Sequence, residues 1–390
     1  MAKQALSIRI LTSIENVPQA AWNALVPPGA PPVLRWEWIH ALESSGSATE
    51  RTGWEPHHLT LWRGEALIGA APAYRKHHSM GEYVYDFAWA NAADQLGVAY
   101  YPKLLVGVPL SPITAPRFLA APHEKLEDVR KALLQAAIDA AREGGCSSVH
   151  VIFPPEAEAQ ALEEAGLSRR TGMQYHWYNP GYESYEDYLA RFDSKRRNQL
   201  RRERGAPEKQ GLTLSTVRGA DISQTHADLA FRFYEATCRT HAWGRVQLTR
   251  AFFRKVFEAL PETVEMVLAQ KGDEVVAGAF NLGTSERLFG RYWGCFQEYP
   301  FLHFNVCLYH SVDDCIRRGR KVFEPGAGGE HKISRGFVPT AIHSAHVIFD
   351  KRLDRAVRDF VRREREQIQE VLGTAEEIAG MRPFEKRGEK

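Results

Sequence analysis

The sequence predicts an α+β protein built from two tandem lobes, each a mixed sheet flanked by helices, with both sheets facing a shared cleft. Three observations support this prediction. The 390 residues correspond to between two and three domains of ordinary size. Hydrophobic residues make up 44% and charged residues 25%, as in globular proteins, which excludes disordered, collagen-like and repeat-rich chains. The order β-α-α-β-β-β-α-β can be read in each half of the chain.

The first half shows this order through alternating apolar residues, β-branched and aromatic content, and one long amphipathic helix. We predict strands at Ser7–Ile14, His58–Arg63, Ala66–Tyr74, Tyr101–Val108, Ser148–Phe153 and Gly172–Tyr178. We predict helices at Pro18–Leu25, Arg35–Ser44, Glu124–Glu143 and Glu156–Ala165. Gly144 and Gly145 end the long helix.

The second half repeats the order of elements, although its residues barely match those of the first half. We predict strands at Leu212–Arg218, Val264–Gln270, Glu274–Leu282, Arg287–Gly294, Lys321–Glu324 and Ile342–Phe349. We predict helices at His226–Thr240, Thr249–Leu260 and Phe304–Arg318, with an amphipathic helix over residues 353–372. The resulting domain bounds are a first lobe (1–180), a basic helical linker (181–211), a second lobe (212–350) and a C-terminal helix and tail (351–390).

Charge, cysteine usage and hydropathy exclude several classes of protein. The net charge of +2 gives no global field, so any nucleic-acid contact must come from a local basic patch. No apolar stretch is long enough for a signal peptide or a membrane span, and we expect a soluble, cytoplasmic protein. The five cysteines are scattered without a Cys-x-x-Cys pair, so we predict neither a disulfide framework nor a metal site.

Five segments resemble a known family. They are GVPLSPITAPR (Gly107–Arg117), SKRRNQLRRER (Ser194–Arg204), RYWG (Arg291–Gly294), LHFNVCLYH (Leu302–His310) and FEPGAGGEHKISRGFVP (Phe323–Pro339). With the repeated element order, they are similar to the FemAB-like family of the GNAT acyltransferase superfamily, often labelled peptidoglycan biosynthesis or recognition proteins. The resemblance covers nearly the whole chain. It implies two GNAT-like lobes and an acyl-transfer reaction, and it leaves the substrate open.

The loops after the fourth strands bear on the acyl donor. GNAT enzymes that use acetyl-CoA carry a Gln/Arg-x-x-Gly-x-Gly/Ala loop there, whose N–H groups hold the pyrophosphate. The first half has a proline-rich loop instead, and the second half has CFQEYPFLHFN. We therefore predict aminoacyl-tRNA as co-substrate, with acyl-CoA less favoured and no permanently bound cofactor. The expected partners are tRNA and an amine-bearing small molecule, peptide or peptidoglycan precursor.

The glycine-rich segment after strand Lys321–Glu324 is the predicted catalytic centre. It contains Gly326, Gly328, Gly329, Glu330, His331, Lys332 and Arg335. Glycines permit positive φ and close backbone approach, and charged residues in such a loop indicate a ligand-facing site. We predict His331 as general base, Lys332 as the group that meets the oxyanion, and Arg335 as the anchor of a phosphate or carboxylate. Glu330 joins the substrate-binding set. The alternative is a surface turn with solvated charges.

Further candidates flank the predicted sheet openings. They are Arg291 (catalytic), with Tyr292, Trp293, His303, Asn305, Thr114 and Arg117 (substrate-binding). Strict alternation places Arg291 and Trp293 on one face of their strand. Asn305 is also a candidate N-cap. Thr114 and Arg117 could hold an acceptor carboxylate, or belong to an ordinary stiff loop.

Residues 191–204 hold seven basic side chains against two acidic ones. On a helix they present more than one basic face, which suits an RNA backbone or another polyphosphate. The predicted RNA-binding residues are Lys195, Arg196, Arg197, Arg201 and Arg202. A solvated linker between the lobes is the alternative. At the level of the whole protein, the alternatives to an aminoacyltransferase are an acyl-CoA-dependent N-acyltransferase and a non-catalytic protein that binds a peptidoglycan fragment or nucleic acid.

Overall fold

The computed structural model describes residues 5–240, 244–374, 377 and 380–382. The chain forms two units: Met1–Met173 with Ala341–Glu370, and Gln174–Thr340 with Val371–Lys390. The helices of the predicted linker thus belong to the second unit, and most of the C-terminal helix belongs to the first. Residues 383–390 of the predicted tail lie outside the described residues. The shared cleft stays a prediction.

The first unit begins with a run of short strands and helices. In chain order its elements are β1 (Leu6–Leu11), α1 (Gln19–Asn23), α2 (Trp36–Ser44), β2 (Trp54–Pro56), β3 (His58–Arg63), β4 (Ala66–Ala71), β5 (Ala73–Lys76), α3 (Phe87–Gln95), β6 (Lys103–Val106), β7 (Leu119–Ala120), α4 (Leu126–Glu143), β8 (Ser148–Ile152), α5 (Glu156–Glu164) and the start of β9 (Ser168–Tyr178). One antiparallel sheet has the order β1-β3-β4-β7. In the other, β6 and β8 are parallel neighbours.

Helix α4 supplies much of the core of the first unit. Val129, Leu133 and Ala137 recur at helical spacing and are buried against the sheets. The helix lies close to Gly69 on β4, because an added Cβ there would lie 2.4 Å from Cγ1 of Val129. The predicted amphipathic helix is therefore present and packs by its apolar face.

The second unit carries the longer strands. Its elements are the end of β9, α6 (Tyr185–Ala190), α7 (Ser194–Arg204), α8 (Ala206–Lys209), β10 (Thr213–Arg218), α9 (Gln224–Thr240), α10 (Arg250–Ala259), β11 (Val264–Lys271), β12 (Glu274–Gly283), β13 (Arg287–Cys295), α11 (Leu302–Phe304), a π-helical turn (Asn305–Tyr309), α12 (His310–Arg317), β14 (Val322–Glu324) and a 3₁₀ helix (Glu330–Arg335). The strands lie in the order β10-β11-β12-β13-β14-β9. All neighbours in this series are antiparallel except β13 and β14, which are parallel.

Two glycines let helix α9 lie directly on the central strands of the second unit. A Cβ at Gly278 on β12 would be 2.4 Å from the Phe233 ring, and one at Gly294 on β13 would be 2.2 Å from the Phe233 carbonyl oxygen. Side chains at these positions would push the helix away. The close packing holds β13, which carries several candidate residues, against a helix.

The chain ends in β15 (Val338–Ile348) and α13 (Lys351–Gly373). From Ser344 to Ile348, β15 pairs with β8 of the first unit. Helix α13 buries Leu353, Val357 and Val361 in a cluster that includes Trp89. Among the described residues, no helix is both long enough and apolar enough to cross a membrane.

Candidate active site

The parallel strands β13 and β14 separate at one end. They pair at Arg287–Val322, Leu288–Phe323 and Phe289–Glu324. Beyond this point β13 continues to Cys295, whereas the chain leaves β14 at Pro325. The backbones still touch at the fork, since a Cβ at Gly290 would lie 3.0 Å from the carbonyl carbon of Pro325. The pairing of the two strands ends here, and we call the region beyond it, bordered by Arg291–Trp293 and by residues 325–336, the sheet opening. Residues 325–336 are called the glycine loop.

Arg291 occupies a β-bulge at this opening. Tyr292 is opposite Phe280 and Gly290 is opposite Asn281, so Arg291 is the extra residue in the register of β13 against β12. The predicted strict alternation of Arg291 and Trp293 is therefore wrong, because the extra residue resets the side-chain pattern. The Arg291 guanidinium donates to the Tyr292 hydroxyl at 3.1 Å. Bulges commonly redirect a side chain next to an active site.

Glu324, the last residue of β14, is a titratable group that sequence reasoning missed. Its carboxylate is buried and accepts a hydrogen bond from Arg287 through Oε1. Its Oε2 has no hydrogen-bond partner among the described residues and lies 4.0 Å from Nε2 of His176 on β9. Burial raises the Glu324 pKa to about 7, against the opposing charges of Arg287 and Arg291. The sequence signal that could have indicated Glu324 is a single acidic residue at the end of a short apolar strand.

Lys332 holds the glycine loop in shape. The residue is 6% exposed, and its ammonium donates to the carbonyl oxygens of Gly326 at 2.8 Å and Gly328 at 2.6 Å. Burial lowers the Lys332 pKa to about 8. Gly326, Gly328 and Gly329 have φ of +92°, +73° and +92°, which are left-handed values that favour glycine. The predicted need for glycine at these positions is therefore confirmed.

His331 lies among aromatic rings at the opening. Its ring centroid is 5.7 Å from that of His303 and 5.4 Å from that of Phe304, and His303 is 4.6 Å from Trp293. The structure therefore brings His331, His303 and Trp293 together. Although His331 is exposed, partial desolvation and the charges of Lys332 and Arg335 lower its pKa. Burial, His331 and nearby cations lower the pKa of His303 to about 4, so it is neutral at pH 7.

Arg335 is held inside the protein, which corrects its predicted role as a ligand anchor. Its Nη2 donates to Glu203 Oε2 at 2.8 Å, Nε donates to the Tyr309 hydroxyl at 2.8 Å, and Nη1 donates to the His331 carbonyl at 2.7 Å. Its guanidinium carbon lies 3.5 Å from the centre of the Phe304 ring. Direct contact with a ligand would require breaking these bonds. Arg335 instead joins the glycine loop to helix α7.

Asn305 also has a structural role, and the prediction that it is an N-cap or a substrate contact is corrected. It lies within the helical segment after Phe301 and is 3% exposed. Its amide donates to the carbonyl oxygens of Glu203 at 2.9 Å and Phe301 at 3.0 Å. Glu330, by contrast, is exposed at the start of the 3₁₀ helix, where a ligand can reach it.

Helix α7 is the predicted basic helix. Lys195, Arg201 and Arg202 are exposed, while Arg196 and Arg197 are half-buried. Asp193 caps the helix by accepting from the backbone N–H of Arg196 at 2.8 Å. The segment is thus a true helix of the second unit, and RNA binding by it stays a prediction.

In the first unit, the proline-rich loop follows β6, which pairs in parallel with β8. Arg117, in the proline-rich loop, is 0% exposed. Its Nε donates to the carbonyl of Ile152 at the end of β8 at 2.6 Å, and its backbone N–H donates to Glu158 at 2.9 Å. The predicted role of Arg117 in holding an acceptor carboxylate is therefore corrected to a structural one. Thr114 is half-buried, and its predicted role stays a prediction.

Metal binding has no candidate site in the described part of the chain. No group of three or more His, Cys, Asp or Glu side chains there is placed to hold an ion. The described residues at the opening include a neutral imidazole (His303), a buried carboxyl (Glu324) and a guanidinium group (Arg291).

Comparison with known proteins identifies the family. The model of the FemAB-like family, described as peptidoglycan biosynthesis/recognition, matches residues 13–386. The sequence matches no curated protein. Among solved structures it is similar to FemX, with a TM-score of 0.51 and 12% identity over 88% of this chain and 98% of that chain. It is also similar to the C-terminal domain (DUF2156) of a putative lysylphosphatidylglycerol synthetase from Agrobacterium fabrum, with a TM-score of 0.50 and 11% identity over 89% of this chain and 95% of that chain.

The likeness to FemX and the mixed α+β architecture confirm the predicted fold class of tandem GNAT-like lobes. The family match extends over nearly the whole chain and over both units. The protein therefore belongs to the FemAB-like family of peptidoglycan biosynthesis or recognition proteins.

Proposed function

We propose that the protein is an acyltransferase that moves an aminoacyl group from aminoacyl-tRNA onto an amine of a small molecule, peptide or peptidoglycan precursor. Membership of the FemAB-like family supports the reaction class. One observation carries the proposal further. The basic helix α7 and the glycine loop at the sheet opening are joined directly, through Glu203 and Arg335 at 2.8 Å.

The opening between β13 and β14 supplies the groups that ester aminolysis needs. His331 is neutral at pH 7 because its pKa is lowered, so it can take a proton from the attacking ammonium. Arg291 brings positive charge to the bulge at the edge of the opening. Tyr292, Trp293 and His303 border the acyl group, with Glu330 exposed beside the amine. Positioning accounts for much of the expected rate, since an activated ester reacts readily with a neutral amine.

The exposed cations of α7 suit the donor. Lys195, Arg201 and Arg202 are exposed on a helix that packs against the reaction loop, and Arg201 also pairs with Glu186. Phosphate contacts of this kind give affinity that falls with salt and is independent of base sequence. In this proposal the side chains of α7 bind the phosphates of the donor, and the acyl ester lies at the sheet opening.

Acyl-CoA fits this site less well. A pyrophosphate grip needs free backbone N–H groups in a glycine-rich turn at the start of a helix. The turn after β13 instead contains Pro300, which has no N–H, and Phe301 at φ +63°. Helix α11, which follows, has three residues before the π-helical turn.

Product analysis tests the proposal. The protein is incubated with pools of charged tRNA and with amine acceptors, including amino sugars, short peptides and peptidoglycan precursors, and products are detected by mass. Parallel reactions contain acetyl-CoA or longer acyl-CoA. We expect aminoacylated acceptor in the first set, lost in Arg291→Gln and retained in Arg363→Gln, which removes an exposed arginine of the first unit. Products formed only from acyl-CoA would overturn the choice of donor. If neither donor gives a product, the proposal that the protein is an acyltransferase is overturned.

A further inference from the structure

The hydrogen bonds from Lys332 fix the orientation of two peptide groups in the glycine loop. The Lys332 ammonium is bonded to the carbonyl oxygens of Gly326 and Gly328. In a planar trans peptide the N–H of the following residue points opposite to the carbonyl. The N–H groups of Ala327 and Gly329 therefore point away from Lys332. Neither donates a hydrogen bond to another described residue.

The signs of φ around these N–H groups are those of a segment that can form an anion cradle. The sign of φ alternates from +92° at Gly326 through a negative value at Ala327 to +73° at Gly328. Successive N–H groups in such alternating segments form concave sites that bind anions. Ala327 and Gly328 are exposed and Gly329 is half-buried, so a ligand can reach the N–H groups.

The cradle lies at the sheet opening and beside the candidate base. A Cβ at Gly326 would be 3.3 Å from the carbonyl oxygen of Gly290, the residue before the bulge at Arg291. A Cβ at Gly329 would be 2.7 Å from Cε1 of His331. The two N–H groups, the candidate base and the bulge thus occupy one small region of the second unit.

We propose that the N–H groups of Ala327 and Gly329 form the oxyanion-binding site of the transferase, and that Lys332 positions them without contacting the reacting atoms. This inference rests on the proposed aminoacyl transfer. It replaces the predicted direct contact between Lys332 and the oxyanion, because Lys332 is buried and its ammonium already donates to two carbonyl groups.

The reaction step follows from this arrangement. The amine nitrogen, after loss of its ammonium proton to His331, donates its lone pair to the ester carbonyl carbon and the C–N bond forms. The carbonyl π pair moves onto oxygen, and the two N–H groups bind the resulting oxyanion. The pair then returns, the C–O bond breaks, and the ribose oxygen leaves. The amine's remaining extra proton passes to that oxygen, so the products are an amide and a ribose hydroxyl.

Proline at position 327 tests the donor directly. Ala327→Pro removes the N–H at a residue whose φ is negative, and this N–H makes no hydrogen bond to another described residue, so the fold should be retained. Ala327→Ser keeps the N–H, so it measures the effect of changing the side chain alone at this position. Loss of one oxyanion donor should lower kcat about 10²- to 10³-fold with little change in KM. A folded Ala327→Pro variant with the kcat of the wild type would overturn the proposal.

Amide NMR of the full chain tests the cradle independently of turnover. The probe is inorganic phosphate, a tetrahedral anion, titrated into protein labelled with ¹⁵N-alanine and ¹⁵N-glycine, with sodium chloride at equal ionic strength as control. We expect downfield proton shifts at Ala327 and Gly329 in the wild type, and their loss in Lys332→Met. Shifts that persist in Lys332→Met would overturn the positioning role, and absent shifts in the wild type would overturn the cradle.

The two measurements separate the proposals. If the wild type transfers no aminoacyl group but phosphate shifts the two amides, the proposed function fails and the cradle survives. If transfer occurs but phosphate shifts neither amide and Ala327→Pro is fully active, the cradle fails and the proposed function stands.

Discussion

Glu203 and Arg335 form a buried ion pair that joins helix α7 to the glycine loop. The two charged groups are 2.8 Å apart, and their side chains are 2% and 8% exposed. Tyr309 hydrogen-bonds to both, donating to Glu203 and accepting from Arg335. These bonds lower the Glu203 pKa against the effect of burial, which keeps its carboxylate charged. The helix proposed to grip the donor and the loop proposed to perform the reaction therefore depend on the same contact.

Removing one partner of this pair should affect both stability and activity. Glu203→Ala leaves the Arg335 charge buried and unpaired, and should lower the free energy of unfolding by about 3 kcal/mol. Urea unfolding measures this change, and kinetics should show a lower kcat together with a higher KM for the donor. Glu186→Ala is the control. Glu186 on α6 also forms an ion pair with α7, through Arg201, but both of these side chains are exposed. Its effect should stay below about 1 kcal/mol. Equal effects of the two substitutions would contradict the prediction.

The buried carboxyl of Glu324 predicts a pH dependence of stability. Its pKa rises from 4.5 in the unfolded chain to about 7 in the fold because of burial. Between these values the folded state binds more protons, so the stabilisation is complete below pH 4.5 and is lost as the pH rises through 7. Relative to Glu324→Gln, the wild type should lose roughly 3 kcal/mol between pH 4.5 and 8. Urea unfolding at several pH values checks this, and a constant difference between the two proteins would refute it.

Neutralising the exposed face of α7 should weaken donor binding. Lys195, Arg201 and Arg202 changed together to Gln should reduce the slope of log affinity against log salt by about one unit for each phosphate group that the helix no longer binds. Fluorescence anisotropy with tRNA at several salt concentrations measures the slope. The matched control changes Lys351, Arg355 and Arg363, which are exposed on α13 of the first unit, and removes the same charge. If both triple variants lower the affinity equally, the effect is one of net charge and α7 is an ordinary solvated helix.

The candidate base predicts the acid limb of the pH–rate profile. The pKa of His331 lies below 6.5, so kcat/KM should fall only below that pH, as the imidazole takes up a proton. His331→Ala should lower kcat/KM about 10²-fold and abolish the acid limb of the profile. His123→Ala, at an exposed histidine of the first unit, should leave the profile unchanged. An acid limb that survives in His331→Ala would assign it to another group, for which Glu324 is the nearest candidate.

Local periodicity accounts for the elements that could be predicted. Strand His58–Arg63 has the predicted bounds, and helix α4 starts two residues after its predicted start, because alternation and helical spacing are properties of neighbouring residues. Helix α3 was missed. Its sequence, FAWANAADQ, carries small and polar residues around an isolated Trp89 rather than an apolar stripe.

The site residues depended on distant contacts, which explains the corrections. Arg335 and Glu203 are 132 positions apart in the chain, and Asn305 reaches the Glu203 carbonyl across 102 positions. The bulge at Arg291 exists only relative to its partner strand β12. The glycines of the loop were predictable because positive φ is a local requirement, whereas the use of Lys332 as a clamp depends on which carbonyl groups surround it.

The return of the chain to the first unit has a consequence for biosynthesis. Strand β8 obtains its β15 partner from residues 344–348, which are translated after residues 174–340 of the second unit. Until then one edge of β8 is unpaired, and an open strand edge is a template for wrong pairing. Domains generally fold as they leave the ribosome, from the N-terminus onward. Here the first unit cannot be completed until residues 174–340 of the second unit have been translated, so its nascent form exposes this strand edge throughout that interval.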